Sequence, residues 1–248
     1  FDPGMDALVT LIRDRRPEIV AKAHNCWGGK VLDETMVRRI IAAYYGYVTL
    51  IDEQIGRVLA ALEATGQADN TVIVFTSDHG STLGAHGLQD KGLMMYDEVY
   101  RIPLILSGAG VARPGSVVDR FVMTMDTSAT FVDLAGGRIP DHYDGRPLTP
   151  YLRGELKHTI RREVVMEAFG HQVPFIQRAV RDHRYKYIFN TTAIDEFYNI
   201  AEDPFETTNL IDTADAALLN RYRGKLLAWG DANDDHAAKV FARQAWRE

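Results

Sequence analysis

The run Asn70-Thr71-Val72-Ile73-Val74-Phe75-Thr76-Ser77-Asp78-His79-Gly80 decides how the rest of the chain reads. Its first half is short, almost continuously apolar and β-branched. That pattern predicts a strand buried on both faces, as in a parallel sheet. Asp69-Asn70 marks the turn into it. Its second half is polar and ends on glycine, where the strand stops. In open α/β sheets, ligands bind beyond the carboxyl ends of the strands. Asp78 offers carboxylate oxygens there and His79 an imidazole nitrogen, both able to ligate one divalent cation. Gly80 permits a sharp turn or the close approach of another group. Taken alone, Asp-His-Gly equally fits a turn in which Asp78 bonds its own backbone and His79 faces solvent.

Working outward, Ile40, Ile41, Tyr44, Val48, Ile51, Ile55, Val58, Leu59 and Leu62 recur at spacings of three and four. They predict a helix over 33–65, with Asp33 as N-cap and Gly66 as stop. Gly46 inside it predicts a close backbone neighbour. A helix leading into a buried strand is a βαβ-type signature. Ile102–Leu106 reads as a second buried strand and Ala129–Leu134 as the core of another helix. A polar helix over Asp6–Arg15 is expected to stop at Pro17.

Beyond Pro150 the patterning mixes apolar and polar residues. Glu163–Glu167, Phe175–Arg181, Arg184–Phe189 and Glu196–Ile200 read as strands, with Asp182-His183 as a hairpin turn. This suits an antiparallel sheet with one wet face. A helix over Ala214–Gly230 follows. The domain boundary is therefore placed near 155: residues 1–155 as part of an α/β domain, and 156–248 as a small α+β subdomain.

Composition bounds the function. Of 248 residues, 46% are hydrophobic and 25% charged, as in globular domains. A net charge of −6 argues against nucleic acid or an anionic membrane as partner. No apolar run approaches the roughly 20 residues of a membrane helix. The single cysteine, Cys26, excludes an internal disulfide. Phe1-Asp2-Pro3-Gly4 shows no signal-peptide pattern and reads like the middle of a protein, so cytoplasmic and periplasmic or secreted locations stay open.

With Lys91 a fixed positive charge follows the Asp-His pair, able to hold an anionic ester oxygen. The order and spacing of several motifs then resemble the sulfatase family of the alkaline phosphatase superfamily. These are Asn70–Gly80, Leu83-Gly84-Ala85-His86-Gly87-Leu88, Lys91-Gly92, Met95-Tyr96-Asp97-Glu98 and Tyr100-Arg101-Ile102-Pro103-Leu104-Ile105. Upstream, Tyr44-Tyr45-Gly46 and Ile51–Arg57 resemble the family's preceding helix. Downstream, Arg184-Tyr185-Lys186-Tyr187, Glu196–Asn199 and Asp203–Leu210 resemble its C-terminal subdomain.

The resemblance implies an α/β fold. It is part of a sulfatase/alkaline-phosphatase-like sandwich with a mixed sheet, followed by a small α+β subdomain with an antiparallel sheet. It implies a metal-dependent sulfuric ester hydrolase acting on a small-molecule or carbohydrate sulfate ester. The alternatives are a phosphonate monoester hydrolase or phosphodiesterase of the same superfamily, or a noncatalytic module. Asp78 and His79 match the late pair of metal ligands, and Lys91 matches the lysine that contacts the sulfate. The metal is one divalent ion: Ca2+, with Mn2+ or Zn2+ as alternatives.

The departures are specific. Cys26 in Asn25-Cys26-Trp27-Gly28-Gly29 is not the Cys/Ser-X-Pro/Ala-X-Arg motif that becomes the formylglycine nucleophile. Asp234-Asp235 does not occupy the place of the family's early Asp pair. Gly92 stands where many members carry a His, which leaves the leaving-group acid to His86 as candidate; His24 and His171 are further pocket candidates. The chain is accordingly expected to be the C-terminal part of a longer enzyme and inactive alone. It is expected to pair with the missing N-terminal half or with a second copy.

Overall fold

A computed structural model describes residues 33–88, 90–92, 94–170, 175–191, 193–242 and 246. The helix expected over Asp6–Arg15, Cys26, His24 and His171 lie outside them. The described residues form two compact units, one of 33–78 with 102–162, the other of 79–101 with 163–248.

In the first unit, helix α1 spans Glu34–Ala64. The Asp33 carboxylate accepts the Met36 N–H at 2.8 Å and so caps its first turn. At the other end Gly66 takes a left-handed φ of 67°. No residue of α1 is buried. Gly46 is a correction: among the described residues nothing lies within 4 Å of the Cβ an alanine would place there.

Strand β1, Val72–Thr76, pairs with β2, Leu104–Gly108, in antiparallel register with Val74 opposite Leu106. This corrects the expectation of a parallel, doubly buried strand. No residue of β1 is fully buried, and Phe75 is 39% and Ile105 57% exposed. An apolar β-branched run reports faces that favour burial. It reports neither the direction of the neighbour nor what covers those faces.

Helix α3, Thr124–Leu134, is organised by Asp126, whose side chain is fully buried. Its carboxylate accepts the Met123 N–H at 2.7 Å, the Arg146 N–H at 2.9 Å and both terminal nitrogens of Arg161. A buried carboxylate is tolerable because each lone pair is matched. Helix α4, Thr149–Leu152, follows.

The second unit holds the one-turn helix α2, Asp97–Tyr100, and an antiparallel meander. Its strands are β3 (Val164–Ala168), β4 (Gln177–Arg181), β5 (Tyr185–Asn190) and β6 (Glu196–Asn199). Helix α5, Ala216–Ala232, packs on it, capped by Asp215, which accepts the Leu218 N–H. The expected wet face is corrected here: β4 and β5 are buried almost throughout. Alternate residues serve two cores. Ala179, Ile188 and Tyr198 pack with Leu88, Met95, Tyr96 and Val99. Val180, Tyr187, Phe189 and Phe197 pack with Leu219, Tyr222 and Leu226 of α5. The polar residues that suggested a wet face are buried and paired instead. Arg178, 1% exposed, donates to Asp235 at 2.7 Å, and Lys186 is 0% exposed.

Candidate active site

Thr76 ends β1 by donating its hydroxyl to the Pro103 carbonyl at 2.9 Å. Asp78 follows two residues later, exposed, with the Ser77 hydroxyl 3.4 Å from its carboxylate. It is the last residue of the first unit.

The second unit opens with His79. Its Nδ1 lies 2.8 Å from the Gly80 carbonyl oxygen, which can only accept. In the neutral ring Nδ1 therefore carries the hydrogen and Nε2 keeps its lone pair. That lone pair meets Lys91 Nζ at 2.9 Å. Lys91 returns to His79 because the intervening loop is tied across its base. Thr82 donates both its N–H and its hydroxyl to the Asp90 carbonyl, each at 3.0 Å. Within the loop the Gly84 N–H donates to Leu88 O at 2.6 Å, and fully buried Leu88 anchors it in the core.

Gly80 is held from the other side. Its N–H donates to the Val99 carbonyl at 2.8 Å, and a Cβ at residue 80 would stand 1.9 Å from the Glu98 carbonyl oxygen. Only glycine admits this approach.

His86 has a left-handed φ of 56° and stacks on Tyr96, ring centroids 3.8 Å apart. Its Nε2 is 3.9 Å from a Glu98 carboxylate oxygen. With Tyr96, Tyr198, Glu206 and Asn209 it borders a cavity of about 350 Å³. The structure thus brings His79 and Lys91 together and places His86 beside Tyr96 and Glu98.

Charged residues that the sequence reading leaves without a role cluster around Asp97 at the start of α2. Lys186 is ion-paired with Asp97 and with Glu206, each at 2.7 Å, and Arg181 reaches the second Asp97 oxygen at 2.8 Å. Burial would raise the Asp97 carboxyl, but Lys186 and Arg181 bring it below its ordinary value. For Glu206 burial wins over Lys186, and its carboxyl is lifted to about 7. A signal was available: Tyr185-Lys186-Tyr187 and Asp203-Pro204-Phe205-Glu206 both belong to the family-like motifs, and a lysine between aromatics on a strand is a candidate for burial.

A metal needs donors with open lone pairs. Asp78 and His79 are consecutive in sequence, and a Nδ1–H committed to a backbone carbonyl is the usual arrangement of a metal-bound histidine. Asp78 and His79 have the donor types a divalent cation takes, but the Nε2 lone pair of His79 faces Lys91 Nζ in this structure, so ligation there requires Lys91 to turn away. Among the described residues no group of three or more His, Cys, Asp or Glu is assembled to hold an ion. No described helix is long and apolar enough to cross a membrane.

Comparison with known proteins gives these features a class. The family model described as "Sulfatase" matches residues 13–137, half of the chain, and that described as "N-sulphoglucosamine sulphohydrolase, C-terminal" matches residues 84–228. The multifunctional alkaline phosphatase superfamily protein PehA of Trinickia caryophylli is 37% identical over 81% of this chain and 42% of its own. An N-acetylglucosamine-6-O-sulfatase of Bacteroides thetaiotaomicron is 34% identical over 76% of this chain and 35% of its own. Among solved structures, the phosphonate monoester hydrolase of Agrobacterium radiobacter is 32% identical, with a TM-score of 0.69 over 77% of this chain and 41% of that one.

Fold and motifs together are those of the alkaline phosphatase superfamily. Within it, the chain belongs to the sulfatase family. It spans about two fifths of the length of the curated relatives it matches.

Proposed function

We propose that the protein of which this chain is part hydrolyses sulfuric esters, with a sulfated sugar as the substrate class. The observation that carries this is the pairing of His79 with Lys91. An oriented imidazole lone pair beside an ammonium suits a site that receives an anionic ester. Displacement at sulfur moves charge onto the ester oxygens. Lys91 would turn from His79 Nε2 to hold one of those oxygens, and Asp78 with the freed Nε2 would hold the divalent cation. A bound cation would act as a Lewis acid on the same oxygens. The formylglycine nucleophile of the family has no counterpart in the context of Cys26, so it is assigned to the remainder of the protein. The name of the 34% identical relative supports a sulfated sugar.

A second reading, phosphonate monoester hydrolysis, is favoured by the 32% identical hydrolase structure. Turnover of an aryl sulfate against an aryl phosphonate monoester by the intact protein separates the two. Sulfate is expected to win; a preference for the phosphonate selects the second reading. Lys91→Ala is expected to slow turnover by roughly 10²–10³-fold, as loss of one oxyanion donor does, while metal content is unchanged. Unaltered kinetics would place Lys91 outside the site.

A further inference from the structure

The Lys186 cluster sits where a pure stability argument does not require it. Replacing buried ion pairs by apolar residues of similar volume is often neutral or stabilising. What this cluster does geometrically is fix α2. The Lys186 ammonium donates to the Met95 carbonyl at 2.9 Å and to Asp97 Oδ1 at 2.7 Å, and it is ion-paired with Glu206 Oε1 at 2.7 Å. Glu206 Oε2 in turn accepts the Asp97 N–H at 2.6 Å, and Arg181 donates to Asp97 Oδ2. Both the backbone before α2 and its first residue are thereby held from β5, from β4 and from the loop after β6.

The other end of α2 holds the site. The Val99 carbonyl receives the Gly80 N–H, and the Glu98 carbonyl leaves no room for a side chain at residue 80. The Gly80 carbonyl is the acceptor that orients the His79 ring towards Lys91. The route therefore runs from Lys186 by its ion pair to Asp97, along the backbone of α2 to Val99, and by hydrogen bonds to Gly80 and His79.

We infer that Lys186, Asp97 and Glu206 are positioning residues for His79, setting the ring orientation that the proposed ester hydrolysis uses. This deepens the proposed function and rests on it only where turnover is concerned.

The test reads His79 directly in the intact protein. Ring 15N signals of His79, assigned by their loss in His79→Gln, are compared in wild type, Lys186→Met, Glu206→Ala and Glu206→Gln. Circular dichroism and melting confirm folding. The Nδ1–H tautomer is expected in wild type. In Lys186→Met and Glu206→Ala the signals should move towards an averaged tautomer, with kcat for an aryl sulfate lowered roughly 10–100-fold, the scale of a small misplacement, and KM little changed. Glu206→Gln keeps an acceptor for the Asp97 N–H and should be milder. Should Lys186→Met not fold, the ordering of the two Glu206 variants carries the test. Leu226→Ala, which destabilises the core on the far face of the sheet, should leave the His79 signals in place.

Unmoved His79 signals in the folded variants overturn the inference, and so does an equal shift in Leu226→Ala. Signals that move as expected in a protein whose wild type turns over neither ester would uphold the positioning role and remove the hydrolase reading.

Discussion

A methyl group at residue 80 would meet the Glu98 carbonyl oxygen at 1.9 Å, which neither backbone can absorb without breaking the Gly80 to Val99 hydrogen bond. Gly80→Ala is therefore expected to cost about 2 kcal/mol or more, in the range of overpacking plus a lost hydrogen bond. Thermal or urea melts check this; an unchanged melt would mean α2 is not held against residue 80. The sequence reading of Gly80 admits a sharp turn or a close approach, and the structure shows the close approach. The family resemblance assigns His79 and Lys91 to one site, as metal ligand and sulfate contact, but not their direct pairing, because no local period joins residues 12 apart. The burial of Lys186 and Glu206 is harder still to read. Single charged residues carry no mark of their partners, and Asp97 lies 89 residues from Lys186 in the chain.

At the scale of elements, periodicity serves well where contacts are local. Helix α1 runs 34–64 against an expectation of 33–65, and α5 runs 216–232 against 214–230. The β4–β5 hairpin turns at Asp182-His183 as its flanking strands predict. Strand direction and coverage are not local properties, which is why β1 is antiparallel and half exposed rather than parallel and buried.

The hairpin turn also carries a titratable device. Burial alone would raise the Asp182 carboxyl, yet hydrogen bonds from the Tyr222 hydroxyl, the Tyr185 and Arg184 N–H groups and Lys225 bring it to about 2. A carboxyl lowered in the folded state adds stability above its ordinary value of 3.8, and that stability is lost as pH falls through 2. Tyr222→Phe is expected to lose about 1 kcal/mol at pH 6, and the gap to wild type should shrink in urea melts at pH 2.5. A gap that stays constant would show that the hydroxyl does not act through ionised Asp182.

At the scale of the whole molecule, α1 presents Tyr44, Val48, Ile51 and Val58 at 41–62% exposure, and no residue of it is buried. An apolar stripe of this kind favours association. The 248-residue chain alone is expected to elute from size-exclusion chromatography above its monomer mass and to bind a hydrophobic dye. A clean monomer without dye binding would contradict that.

The proposal that Asp78 and His79 hold a catalytic cation is met head-on by measuring, on the intact protein, bound divalent metal and aryl sulfate turnover in Asp78→Ala. Metal and turnover are expected to disappear together while the fold persists. A folded Asp78→Ala protein with its full metal content and near-normal rate would contradict it.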